Sequence, residues 1–292
     1  MNPNDVNIYQ TTTCNYKCSH CLRQTDNNIL KAVDVTSTVI NNVITMFPTI
    51  KNACIAGFGE PLCSRNVFDI IKFLSSKNVG CSLITNGSLI TKRKDEFKDL
   101  NFQYIAVSLN TVSKEKHKKI TQTDTFDDVI SGIKWLVSQK RWPIVLSFIA
   151  FKKAISEIPE FIKLANSLGV SYCTIVNSLP YNKGSIPDII KEDDLDIIKQ
   201  LNEYKKLPGA GIIRKWPILI KKIPNHNCSS PTATIGVNGN NLFTGCRRVL
   251  PPSELLTTGC WNGDYINELR LSVKGKGRYS YICNNCFGNS KG

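Results

Sequence analysis

The sequence predicts an α/β chain: a partial (β/α)6 barrel of the TIM type, followed by a small cysteine-rich C-terminal part. Three observations predict it. Short β-rich runs alternate with amphipathic stretches from residue 6 to residue 176. The texture then changes to Pro and Gly from Pro208 onward. The chain's 12 cysteines include two groups at short spacing, one near each end.

The strand runs are Val6–Thr12, Asn52–Ala56, Gly80–Thr85, Tyr104–Leu109, Ile144–Ala150 and Ser171–Val176. Between them apolar residues recur at i, i+3, i+4 and i+7, the spacing of one helix face. Ile40, Val43, Ile44 and Phe47 show it, as do Val67, Ile70, Ile71 and Leu74. So do Phe126, Val129, Ile130 and Ile133, and Ile158, Phe161, Ile162 and Ala165; Leu89–Leu100 is a weaker helix. Alternation of this kind builds a parallel sheet with helical crossovers. A doubly wound sheet and a partial barrel both satisfy it, and in either ligands sit at the C-terminal ends of the strands. A helix over Glu192–Tyr204 closes this part, and Pro208, Gly209, Gly211, Pro217 and Pro224 mark a linker. The expected domains are therefore 1–190, 191–225 and 226–292. The last is turn-rich and too small for a good core, so bound metal would staple it.

Hydrophobic residues make up 41% and charged residues 21%, as in an ordinary soluble protein. Apolar runs such as Ile144–Phe151 are too short to span a bilayer. The opening Met-Asn-Pro-Asn-Asp lacks the basic and apolar regions of a secretory signal, so the cytoplasm is expected. Thiols stay reduced there, which argues against a disulfide framework. Cysteines at short spacings then point to metal or cluster ligands. Cys54, Cys81 and Cys173 stand alone in apolar stretches and read as small core residues. The formal charge is +14, but no basic run carries the interleaved aromatics of a nucleic-acid groove.

The first group, Cys14-Asn-Tyr-Lys-Cys18-Ser-His-Cys21, begins where the first strand ends. Three thiolates hold three irons of a cubane cluster and leave the fourth open. An open position lets a small molecule bind the metal. A single zinc ion wants four ligands, and His20 adjoins Cys21 too closely to share one ion with it. Ala56-Gly57-Phe58-Gly59-Glu60-Pro61 follows the second strand. It is no dinucleotide fingerprint, because Leu62 stands where a third Gly is needed and Pro61 spoils the helix-opening turn.

These motifs, in this strand context, resemble the radical S-adenosylmethionine (SAM) superfamily. The resemblance implies a [4Fe-4S] cluster on Cys14, Cys18 and Cys21 that binds SAM and cleaves it to a 5′-deoxyadenosyl radical. It implies that the Gly57–Pro61 loop (Gly57, Gly59, Glu60, Pro61) holds the SAM ammonium, with Glu60 as its carboxylate contact. His20 takes the place of the aromatic residue near the adenine. Asn86 in Thr85-Asn86-Gly87, Ser108 and Asn110 in Ser108-Leu109-Asn110, and Ser147 match positions that reach SAM. Where the family often carries Arg after the fourth strand, this chain has Lys118, Lys119 and Thr121. An external electron donor of the flavodoxin or ferredoxin type is implied as a partner.

The second group resembles a Twitch module, the trimmed relative of the SPASM domain. Cys228 and Cys246 flank Ile235–Gly245, which reads as two short strands joined at Asn238-Gly239, and Cys283-Asn-Asn-Cys286 follows. Four cysteines in this pattern imply a second, fully ligated [4Fe-4S] cluster; a zinc ribbon is the competing reading. The resemblance implies oxidation of sugar alcohols, rearrangement of nucleotides or modification of other small molecules such as aminoglycosides, and SPASM relatives act on peptides. Epimerisation and two-electron oxidation are the expected outcomes. Cys260, between the auxiliary ligands in a turn-rich stretch, is the candidate hydrogen-atom donor for epimerisation. The alternative from another class is a basic zinc protein that binds nucleic acid. It explains the charge and Cys283-x2-Cys286 but not Cys14, Cys18 and Cys21 beside Gly59-Glu60-Pro61.

Overall fold

A computed structural model describes residues 3–21, 23, 34–57, 59–178, 183–221, 223, 228, 234–237, 239, 243–244, 264–277 and 280–286. Cys246 and Cys260 lie outside the described residues.

Six strands follow the expected runs to within a few residues: β1 Asp5–Tyr9, β2 Asn52–Ala56, β3 Gly80–Thr85, β4 Tyr104–Ser108, β5 Ile144–Ala150 and β6 Tyr172–Asn177. They pair in sequential order and in parallel, as winding of βα units requires. β1 and β6 are not neighbours, so the barrel is not closed. The crossovers carry α1 Ser37–Met46, α2 Val67–Ser76, α3 Lys114–Thr121, α4 Phe126–Ser138 and α5 Ile158–Leu168. Alternation along the strands explains the packing. Val6 and Ile8, Ala53 and Ile55, and Ile105 and Val107 are buried in one core with the helix residues Ile40, Ile71, Ile133 and Phe161.

Two differences have plain causes. Leu89–Leu100 holds a 3-10 turn at Thr91–Phe97 rather than an α-helix. Its middle, Lys92-Arg93-Lys94-Asp95-Glu96, has no apolar residue to bury, and ion pairs Arg93–Glu96 and Asp95–Lys98 suit i, i+3 spacing. Helix α3 lacked an apolar stripe in the sequence; it is instead started by Ser113, whose hydroxyl accepts from the Lys116 N–H at 3.3 Å.

Beyond β6 come α6 Leu195–Tyr204 and β7 Ile213–Lys215, the latter inside the stretch read as linker. β8 Thr234–Val237 and β9 Phe243–Thr244 form the expected antiparallel hairpin. The hairpin does not stand apart: β8 runs parallel beside β1, so the sheet passes through all nine described strands. Helices α7 Asp264–Val273 and α8 Ser280–Asn284 follow. A Twitch domain is not shown by this arrangement. Among the described residues no helix is long and apolar enough to cross a membrane.

Candidate active site

Two loops meet at the C-terminal end of β1 and β2. The Gly59 N–H donates to Thr11 O at 3.0 Å and the Glu60 N–H to Thr13 O at 2.8 Å. This zips the glycine loop to the segment that enters the cysteine loop. A Cβ on Gly59 would lie 2.2 Å from Thr13 O and 2.7 Å from Thr11 O, so the close approach needs glycine there.

Cys14, Cys18 and Cys21 are free, half-buried thiols on the loop after β1. Burial pushes the Cys14 thiol up to about 11 and the Cys18 thiol up to about 12, with Cys21 and Cys14 raising Cys18 further. Without a cation these sulfurs stay protonated; a bound metal reverses that and takes them as thiolates. An all-thiol donor set on one loop fits an iron–sulfur cluster with one open iron. Among the described residues no three His, Cys, Asp or Glu side chains are grouped so that they could hold a single metal ion.

Of the expected SAM contacts, one set gathers at the ends of β4 and β5. The His20 ring lies 4.9 Å from the Phe151 ring, and its Nε2 is 3.4 Å from Asn110 Nδ2. Asn110 is held in turn by the Ile149 N–H, which donates to its Oδ1 at 3.1 Å. Ser108 and Ser147 are register partners and share a face of the sheet. Burial, then the nearby Lys153 cation, pulls the His20 pKa down to about 4, so the ring is neutral at pH 7.

Glu60 is buried at the start of the 3-10 turn Pro61–Cys63. Its carboxylate is 3% exposed and already accepts three hydrogen bonds. They come from the Leu62 N–H at 3.0 Å, the Thr85 hydroxyl at 2.6 Å and the Asn86 N–H at 2.7 Å. The side chain thus locks the end of β3 to the glycine loop. Burial pushes its pKa up against those donors. Pro61, at the first position of the 3-10 turn Pro61–Cys63, has no N–H to leave unpaired. Asn86 donates its amide to Asn15 Oδ1 at 2.9 Å.

Sequence reasoning missed Tyr16, which is buried between Cys14 and Cys18, and Cys63, a half-buried thiol 3.7 Å from Asn15 Oδ1. An aromatic residue in an otherwise polar loop was the available signal for Tyr16. It also misread Cys54, which is half-buried on the strand face opposite the helices; Cys81 and Cys173 are buried as expected. In the second group Cys228 and Cys283 are half-buried, Cys286 is buried, and the Cys286 N–H donates to Cys283 O at 3.2 Å.

Residues 8–165 match the Radical SAM superfamily. The chain belongs to that superfamily. As a radical SAM enzyme it works with SAM and a [4Fe-4S] cluster. A probable GTP 3′,8-cyclase of Saccharolobus islandicus is 32% identical over 218 residues, 72% of this chain and 68% of the relative. A second, of Methanocaldococcus jannaschii, is 29% identical over 64% of this chain and 66% of the relative. Among solved structures, anSMEcpe with bound AdoMet superposes with a TM-score of 0.70 at 15% identity, over 99% of this chain and 91% of that one. Streptococcus suis SuiB bound to SAM gives 0.69 at 14% identity over 92% of this chain; the chain spans 65% of SuiB's length. These likenesses show the fold.

Proposed function

We propose that Cys14, Cys18 and Cys21 hold the cluster, that the rim beside them holds SAM, and that the radical so made abstracts hydrogen from a small anionic substrate of the nucleotide class. The observation that carries the first two parts is the zipping of the cysteine loop to the Gly57–Pro61 loop through Thr11 and Thr13. When bound and reduced, the cluster supplies the electron that splits SAM into methionine and a 5′-deoxyadenosyl radical.

The residues divide the work around it. The Gly57 and Gly59 carbonyls face the SAM ammonium, and Glu60 keeps that loop in place from behind. His20, neutral and packed on Phe151, lies against the adenine, while Ser108, Asn110 and Ser147 take the ribose and carboxylate. A neutral ring at His20 avoids placing a second cation beside the SAM sulfonium.

The substrate class rests on the relatives' printed name and on the charge of +14, which favours anionic ligands. The cyclase relatives do not support the expected epimerisation or two-electron oxidation, and Cys260 lies outside the described residues. A second [4Fe-4S] cluster on Cys228, Cys246, Cys283 and Cys286 remains part of the proposal, supported by the Cys283–Cys286 turn and the β8–β9 hairpin. A flavodoxin- or ferredoxin-type donor completes it. The test is anaerobic incubation of the reconstituted protein with SAM, dithionite and GTP, with products read by mass spectrometry. GTP-dependent 5′-deoxyadenosine and a GTP-derived product support the reading; equal SAM cleavage with and without every nucleoside triphosphate removes the substrate class.

A further inference from the structure

Tyr16 sits between Cys14 and Cys18, and its side chain turns into a buried socket. Its side chain is 5% exposed, while Asn15 and Lys17 on either side are exposed. The hydroxyl lies 2.7 Å from Thr125 Oγ1 and 3.4 Å from His117 Nε2. The ring meets the His117 ring edge-on at 5.7 Å, and His117 meets Phe126 at 5.6 Å. Two backbone bonds dock the same loop on the C-terminal end of α3: Lys17 N–H to Thr121 O at 3.0 Å and Ser19 N–H to Ile120 O at 3.1 Å. The socket is itself braced, since the hydroxyls of Thr121, Thr123 and Thr125 form a chain at 3.0 and 3.1 Å.

The other end of Tyr16 reaches the metal site. Its N–H donates to Cys14 Sγ at 3.4 Å. Hydrogen bonds to cluster sulfurs stabilise the electron-rich, reduced form and raise the reduction potential. One residue thus joins a buried socket on the far side of the loop to a donor on a cluster sulfur.

We propose that Tyr16 is a positioning residue that tunes the reduction potential of the SAM cluster, its hydroxyl anchored on Thr125 so that its N–H stays on Cys14 Sγ. This rests on reading the loop as the cluster loop. The ring alone would fill the space, so the hydroxyl is the diagnostic atom. Thr125 precedes α4 but makes no side-chain cap there, and can be changed without uncapping the helix.

The experiment compares Tyr16→Phe, Thr125→Val and the double variant with the wild type, all reconstituted anaerobically. Iron and sulfide are counted, and the midpoint potential of the SAM cluster is read by redox titration with electron paramagnetic resonance. Both single variants keep wild-type iron and shift the potential negative by about 59 mV, a roughly tenfold change in the one-electron equilibrium. The double variant shifts no further, because both changes release one anchor. Unchanged potentials, or shifts that simply add, overturn the inference while leaving the cluster assignment standing. A wild-type chain that takes up no iron overturns both.

Discussion

Glu60→Ala separates a structural from a ligand-binding role for the buried carboxylate. The substitution leaves the Leu62 and Asn86 N–H groups and the Thr85 hydroxyl without their acceptor. A buried donor left unpaired costs about 1–3 kcal/mol. The Thr85 O–H also loses its acceptor, but a hydroxyl rotates whereas the two backbone donors are fixed, so the backbone donors dominate. The expected loss is about 4 kcal/mol, partly offset because a carboxylate no longer has to be buried. For a chain of this size that lowers the melting temperature by about 10 °C. Glu60→Gln keeps an oxygen for Leu62 and Thr85 but turns an NH2 toward the Asn86 N–H, and loses about half as much. The assay is thermal unfolding of the metal-free protein by circular dichroism, so that neither iron nor SAM contributes. A Glu60→Ala protein that melts within about 2 °C of wild type yet fails to bind SAM after reconstitution would refute the structural role and restore direct contact.

Gly59→Ala drives a methyl group onto Thr13 O and Thr11 O, so the two loops part; iron uptake by the first cluster and SAM affinity fall together, as iron assay and equilibrium dialysis would show. His20 has a folded pKa of about 4, below its unfolded value near 6.5. Its contribution to stability is present above pH 6.5 and is lost as pH falls toward 4, because the unfolded chain takes the proton first. Urea midpoints at pH 7 and pH 4.5 should therefore differ more in wild type than in His20→Phe, and an equal difference rejects the assignment. Removing Cys283 and Cys286 together should halve the iron of a protein that holds about eight irons in two cubanes; a wild-type content of about four would dispose of the auxiliary cluster.

Much of the barrel was legible because its signals are local. The β-rich runs at Asn52–Ala56, Gly80–Thr85 and Ile144–Ala150 coincide with β2, β3 and β5. The helix stripe from Val67 to Leu74 coincides with buried residues of α2. The spacing of Cys14, Cys18 and Cys21 announced the loop after β1. What escaped depends on long-range partners. Nothing near Glu60 in sequence says that Thr85 and Asn86, 25 and 26 residues away, will donate to its carboxylate. Tyr16 finds Thr125 across 109 residues, and β8 joins β1 from the far end of the chain. Such pairings are fixed by topology, and period or propensity carries no trace of them.

If Cys14, Cys18 and Cys21 hold the proposed cluster at the end of β1, cleavage of SAM depends on all three. The direct measurement is 5′-deoxyadenosine formed from SAM and dithionite by the anaerobically reconstituted wild type, set against the protein with Cys14, Cys18 and Cys21 all replaced by Ala. The wild type should form it over many minutes and the triple variant none, although the variant remains folded and keeps any iron held by the C-terminal cysteines. Equal 5′-deoxyadenosine from both proteins, or none from a wild type that has taken up iron, would contradict the account.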